Sequence, residues 1–157
     1  MDIIEFLQKD HDALRADLTQ IGKNLDKKCI PELIRDFILH LERHESIEEE
    51  ILYPKLDAQT AAPMDNHDQL FDYESDHTEL WGKIEQFREL CEISHFCPMQ
   101  KAFFDFDAFA EAHMRCEERI LFPAARRLLS QGALDEMGAK AEEFGRTHLA
   151  GGGTVAA

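Results

Sequence analysis

The sequence predicts an all-α protein: an up-down-up-down antiparallel four-helix bundle with a short extra C-terminal helix. Three observations lead there. Apolar residues recur at spacings of three and four along four long stretches, the signature of helices that bury one stripe. Short breaks with helix-starting prolines, Pro31 and Pro98, separate the first from the second stretch and the third from the fourth. Finally, an eleven-residue phrase occurs twice, His44-Glu-Ser-Ile-Glu48-Glu-Glu-Ile-Leu-Tyr-Pro54 and His113-Met-Arg-Cys-Glu117-Glu-Arg-Ile-Leu-Phe-Pro123, at one offset throughout (113 − 44 = 69 and 123 − 54 = 69).

Taken in order, Asp2 and Glu5 form a capping box for the first helix. Its stripe runs Ile4, Leu7, His11, Leu14, Leu18, Ile21 and Leu25, so His11 takes a core slot. The second helix starts at Pro31 and carries Ile34, Phe37, Leu41, His44, Glu48 and Ile51. A break at 57–63 leads to a cap at Asp65 or Asn66 and a third helix with Leu70, Tyr73, His77, Leu80, Ile84, Phe87 and Cys91. The fourth starts at Pro98, with Met99, Ala102, Phe106, Phe109, His113, then Cys116 or Glu117, then Ile120 inward. Pro54 and Pro123 each remove a helix hydrogen bond and are expected to shape the ends of helices two and four. The domain reading is one unit over 1–148, with the bundle at 3–130, an outer amphipathic helix at about 133–144 and a disordered tail at 149–157.

A shorter echo precedes each long phrase: Asp10-His11 is matched by Asp76-His77, offset 66 (77 − 11 = 66). On a helix, residues four apart share a face, so each long phrase presents an imidazole and a carboxylate together. The heights agree as well. His11 and His44 each lie 13 residues from their shared turn (24 − 11 and 44 − 31), and His77 and His113 lie 16 and 15 from theirs (93 − 77 and 113 − 98). Six side chains, His11, His44, Glu48, His77, His113 and Glu117, therefore converge near mid-height. One core-facing His is ordinarily a hydrogen-bonded structural residue; four at matched positions, two with Glu at i+4, point to a metal site. Two carboxylates can each bridge two metals while the imidazoles divide two and two. Mixed nitrogen and oxygen ligation with open positions favours a redox-active iron pair, or manganese, over a closed zinc site.

A formal charge of −15 argues against nucleic acid or an anionic membrane surface as partner. The N-terminus does not read as a signal peptide, and the chain has no membrane-span run, so a cytoplasmic location is expected, with Cys29, Cys91, Cys97 and Cys116 reduced. Cys91, His95 and Cys97 fall at one turn, at the same end of the bundle as Cys29, where unpaired thiols are the ordinary reading. The string E-x-x-H at Glu74/His77 and Glu92/His95 does not fall on two helices at one level and is read as coincidence.

The doubled H-x-x-x-E-E-x-I-L-[Y/F]-P with its two preceding histidines resembles the hemerythrin-like, or HHE cation-binding, family over roughly residues 3–130. The resemblance implies a non-haem di-iron centre, oxo- or hydroxo-bridged, held by the six residues named, and contact with dioxygen, nitric oxide or peroxide. Two departures stand out. Oxygen-carrying hemerythrins have a further His one turn before the third-helix ligand, where this chain has Tyr73, and an Asp at i+5 where this chain has Glu117 at i+4. Tyr73 is read as lining the site, as a phenolate ligand, a proton donor or a wall. His40, one turn before His44, is read as an outer partner or an extra ligand. Three functions remain open on this reading: a binding or sensing protein for a diatomic ligand or peroxide, an enzyme consuming peroxide or handling nitric oxide (with a link to iron–sulfur repair implied by the family), and an iron store or donor.

Overall fold

A computed structural model describes residues 1–28, 30–59, 73–92 and 96–151, without the side chains of 73–75, 96–97 and 147–151. Its elements are α1 (Ile3–Lys23), α2 (Ile30–Ile47), α3 (Tyr53–Gln59), α4 (Tyr73–Glu92), α5 (Phe96–Cys116), α6 (Phe122–Leu128) and α7 (Gln131–Gly151), with no strand among the described residues. None of the described helices is long and apolar enough to cross a membrane.

The cap expected at the N-terminus of α1 is present. Asp2 Oδ1 accepts from the Glu5 amide at 2.9 Å, and the Glu5 carboxylate reaches back to the Asp2 amide. Arg126 of α6 and Gln131 of α7 also donate to the Asp2 carboxylate, so one side chain ties three elements together. The expected caps Asp65 and Asn66 lie outside the described residues.

Helices two and four do not end at their prolines. α2 passes through a π turn, Glu48–Leu52, straight into α3, and α5 passes through a π turn, Glu117–Leu121, into α6. The amides of Tyr53 and Phe122 bond to the carbonyls of Glu48 and Glu117, five residues back. A proline in an α-helix collides with the carbonyl four residues earlier; the wider turn accommodates it. The extra residue also advances the buried face by one. Ile51 and Ile120, expected in the stripe, are half-buried and exposed, while Leu52 and Leu121 are buried.

Side-chain pairings tie α1 to α2 (Asp17 with His40, Asp10 with His44), α2 and its π turn to α4 (Glu45 with Trp81, Glu49 with His77), α4 to α5 (Phe87 with Phe103, Lys83 with Phe109) and α5 and its π turn back to α1 (Arg15 with Glu111, His11 with Glu118). Two apolar cores result. One contains Leu14, Leu18, Ile34, Phe37, Leu41, Leu80, Ile84, Phe87 and Phe106. The other, at the opposite end, contains Ile3, Ile4, Leu7, Ile47, Leu52, Leu121, Phe122, Leu134, Met137 and Ala141.

α7 is longer than the helix expected at 133–144, running Gln131–Gly151. It packs on the bundle through Leu134, Met137 and Ala141, which are buried in the second core. The contact is close because Gly138 has no side chain, and a Cβ there would lie 2.1 Å from the Met1 carbonyl oxygen.

Gly138→Ala therefore lowers stability by about 1–3 kcal/mol through backbone overlap. Gly82→Ala, in α4 with nothing within 4 Å of its Cβ, gains up to about 1 kcal/mol from helix propensity. Thermal melts of the two variants should move in opposite directions. At Asp2, burial favours the neutral acid, but bonds from the Glu5 amide, Arg126 and Gln131 outweigh it and hold the pKa below its usual 3.8. The ionised cap thus stabilises the fold fully above the unfolded-state value and progressively less as pH falls through the folded value. Asp2→Ala costs about 1 kcal/mol at neutral pH, and its deficit against wild type in chemical denaturation shrinks in acid.

Candidate metal centre

The layer between the two cores is polar and shielded from bulk solvent. His11, His44, Glu48, His77, His113 and Glu117 are each at most 4 % exposed. Helical spacing alone puts them there: His11 lies between Leu7 and Leu14 on α1, His44 between Leu41 and Ile47 on α2. The six form two groups, His11, His44, Glu48 and Glu117, and Glu48, His77, His113 and Glu117, each with its donor atoms within 4.8 Å of one another.

Each glutamate divides its oxygens between the groups. Glu48 Oε1 faces His44 Nε2 at 3.6 Å and Glu48 Oε2 faces His77 Nε2 at 3.8 Å. Glu117 Oε2 faces His11 Nε2 at 3.1 Å and Glu117 Oε1 faces His113 Nε2 at 3.1 Å. Both carboxylates thus stand between one imidazole of the first half and one of the second.

The outer nitrogens meet a second set of acids. Nδ1 of His11 lies 2.9 Å from Glu118, that of His44 3.1 Å from Asp10, that of His77 2.8 Å from Glu49, and that of His113 3.6 Å from Asp76. An ionised carboxylate only accepts, so Nδ1 carries the hydrogen at the three shorter contacts and the Nε2 lone pair is turned inward. This is the carboxylate–histidine arrangement that orients and strengthens metal ligands. Yet His11 Nε2 and His44 Nε2 are 3.1 Å apart, a distance at which one of them must carry a hydrogen unless a cation takes both lone pairs. Glu48 Oε1 and His77 Nε2 are buried with no hydrogen-bond partner among the described residues. Such nitrogen and oxygen donors converging in a buried layer fit bound cations.

Without cations the layer must hold protons instead. Burial and the adjacent charge of Glu117 push Glu48 well above the ordinary carboxylate range. Burial acts on Glu117 in the same direction, but bonds from His11 and His113 win and hold it well below. Burial would lower His113, yet Glu117 keeps it raised, while burial lowers His77 and takes His44 down to about 4.

His40 is not turned to the layer. Its Nδ1 meets Asp17 at 2.7 Å and its Nε2 meets Asp10 at 3.1 Å, so it backs the carboxylate behind His44 and is no extra ligand. The side chain of Tyr73 lies outside the described residues, as do Cys29, His67, His95 and the side chain of Cys97. Cys91 and Cys116 are free, half-buried thiols.

Sequence reasoning passed over several residues. Tyr53 was visible only as the aromatic of the repeat; its hydroxyl donates to Glu48 Oε2 at 3.1 Å and reaches Glu117 Oε1 at 3.4 Å. Phe122, its counterpart, stacks on His11 with centroids 5.4 Å apart. Asp10 and Asp76 were visible as part of the echo, although each serves the histidine of the next helix. Glu45, beside His44, is buried with the Trp81 indole N–H donating to it, and burial raises its pKa to about 8.

The fold and the layer define a helical domain with two clusters of His and Glu able to hold cations. A family model described as the hemerythrin HHE cation-binding domain matches residues 2–125, and the chain belongs to that family. Neither a curated protein nor a solved structure matches it significantly.

Because Glu117 and burial favour the protonated form of Glu48, and Glu117 that of His113, a cation competes with protons for these donors, so loading releases protons and affinity falls as pH is lowered. Calorimetry of ferrous ion binding in buffers of different ionisation enthalpy measures the release directly. A binding enthalpy independent of buffer would contradict this charge assignment.

Proposed function

We propose that the chain is a non-haem di-iron protein that binds or senses dioxygen, nitric oxide or peroxide, with His11, His44, Glu48, His77, His113 and Glu117 as ligands and manganese as the alternative metal. The observation that carries the reading is the division of Glu48 and Glu117 between the two histidine pairs, which suits carboxylates that bridge two ions. The frame proposed is the up-down-up-down antiparallel bundle. Its support is that partners along every neighbouring pair of long helices run in opposite numerical order, as with Asp10–His44 and Asp17–His40, or His11–Glu118 and Arg15–Glu111.

A bound iron pair supplies redox electrons and open coordination positions for a small oxidant. The protein supplies the rest. His11 and His44 with one oxygen of each glutamate define the first position; His77 and His113 with the other oxygens define the second. Apolar cores on both sides keep bulk water away, which strengthens every electrostatic contact inside. Tyr53 holds a proton at its hydroxyl beside the carboxylate oxygens of the second position.

That hydroxyl favours a second reading at the same site, an enzyme that consumes peroxide or handles nitric oxide, since reduction of an O–O bond needs a nearby proton source.

Protein purified without added metal should carry about two irons per chain if both bridging glutamates act as drawn. Glu48→Ala or Glu117→Ala should then retain one iron or none by elemental analysis, and full loading of either variant would refute the bridging role. An anaerobic-to-aerobic optical titration separates the functions: reversible oxygenated spectra support binding or sensing, and turnover of added peroxide supports the enzyme. In the second case Tyr53→Phe keeps both irons and loses about 100-fold in peroxide consumption. An unchanged rate would remove Tyr53 as the donor.

A further inference from the structure

The two halves of the layer are related by the repeat, but their outer supports are not. Behind His44, Asp10 is only 10 % exposed and is held by Arg43 at 2.7 Å and His40 at 3.1 Å. Behind His11, Glu118 is 26 % exposed, and the Arg15 guanidinium donates to both of its oxygens at 2.8 and 3.2 Å while its Nε donates to Glu111. Behind His77 and His113, by contrast, Glu49 is 56 % and Asp76 34 % exposed. No Lys or Arg pairs with either acid among the described residues, and every residue outside that set is something other than Lys or Arg.

The repeat shows why. At its offsets, Arg15 corresponds to Trp81 (15 + 66), Arg43 to Ala112 (43 + 69) and His40 to Phe109 (40 + 69). All three supports of the first half are thus replaced in the second by residues that carry no cation. The inner aromatic differs in the same sense: Phe122 stacks flat on His11, whereas its counterpart Tyr53 presents a hydroxyl to Glu48 Oε2 and Glu117 Oε1, the oxygens turned toward His77 and His113.

We propose that the two cation positions are inequivalent by construction: the His11/His44 position binds tightly and exchanges slowly, and the His77/His113 position binds loosely and exchanges quickly. A metal-ligating imidazole is only as well placed as the group that holds its outer nitrogen, and loss of such an outer partner typically weakens binding 10- to 100-fold. In the first half both outer acids are neutralised and locked before a cation arrives. In the second the acids are more exposed and have no Lys or Arg partner among the described residues, so more of their ordering is left to the binding event. Arg15, Arg43 and His40 are positioning residues for the first site. The proposal rests on the two-cation reading above and names the loose position as the one through which the pair is completed and lost.

Cobalt(II) serves as a spectroscopic probe. Titration of the metal-free full chain, with a competing chelator and the d–d bands as readout, should show two equivalents, the first bound at least about 10-fold more tightly than the second. Arg15→Gln should weaken the first step about 10-fold and leave the second nearly unchanged, and Glu49→Gln should do the reverse. Both residues are partly exposed, and melts of the metal-free variants show whether the fold is retained. Two equal affinities, or an Arg15→Gln effect confined to the weaker step, would overturn the inequivalence and leave the two-cation reading standing. No uptake of cobalt at all would overturn both.

Discussion

The constraint on which the rest of the structure depends is a sheet of charge laid across the middle of a hydrophobic core. Two glutamates and four histidines have almost no access to water, and an isolated carboxylate in such a place is unfavourable by several kcal/mol. Helix geometry offers no escape, because each of the six sits in a stripe whose other members are apolar; rotating a helix to expose one would expose a row of leucines. The charge can be satisfied only from inside the layer, by protons or cations, and from its rim, by the ring of Asp10, Glu49, Asp76 and Glu118. The two apolar cores hold the layer at its level, and the layer in turn dictates which residues those cores leave facing one another.

The π turns belong to the same constraint. Each starts at an inward glutamate and is followed, one aromatic residue later, by a proline, so the local widening lies directly beyond the two buried carboxylates. An ordinary α-helical turn there would bury Ile51 and Ile120. The added residue buries Leu52 and Leu121 and brings Tyr53 and Phe122 onto the floor of the layer. A single change in helix pitch thus sets both the lower core and the two aromatics that touch the site. The prolines are exposed; their contribution is to make a regular turn unfavourable.

Much of this was legible in the sequence, and the boundary falls where physics says it should. A 3.6-residue period and a doubled phrase are properties of residue order, so the helices, the six inward groups and their common depth could be read directly. Pitch is not a property of order: the π turns became visible only through which leucine is buried. Contacts across helices were equally hidden. Asp10 stands next to His11 in the chain but supports His44, and order alone left His40 open between an outer partner and an extra ligand, because the two aspartates it meets lie on another helix. α7 was underestimated because its apolar residues are sparse, and because the small residue that lets it approach, Gly138, leaves no mark on a hydrophobic stripe.

What the repeat preserves and what it lets go are informative in different ways. The six inner His and Glu side chains and their outer acids are kept in both halves, because each buried imidazole needs a carboxylate behind it. The cations behind those acids are kept in one half only. Were the layer's task simply to remain folded, the more exposed acids of the second half would need no cations, since water screens them, and the first half could have been built the same way at no loss. Instead Arg15, Arg43 and His40 are concentrated behind His11 and His44, the side closed by a phenyl ring, while the hydroxyl of Tyr53 sits on the other. Rigidity on one side and access to water and protons on the other are what a site needs if one ion is to anchor the pair and the other is to meet whatever arrives from solution.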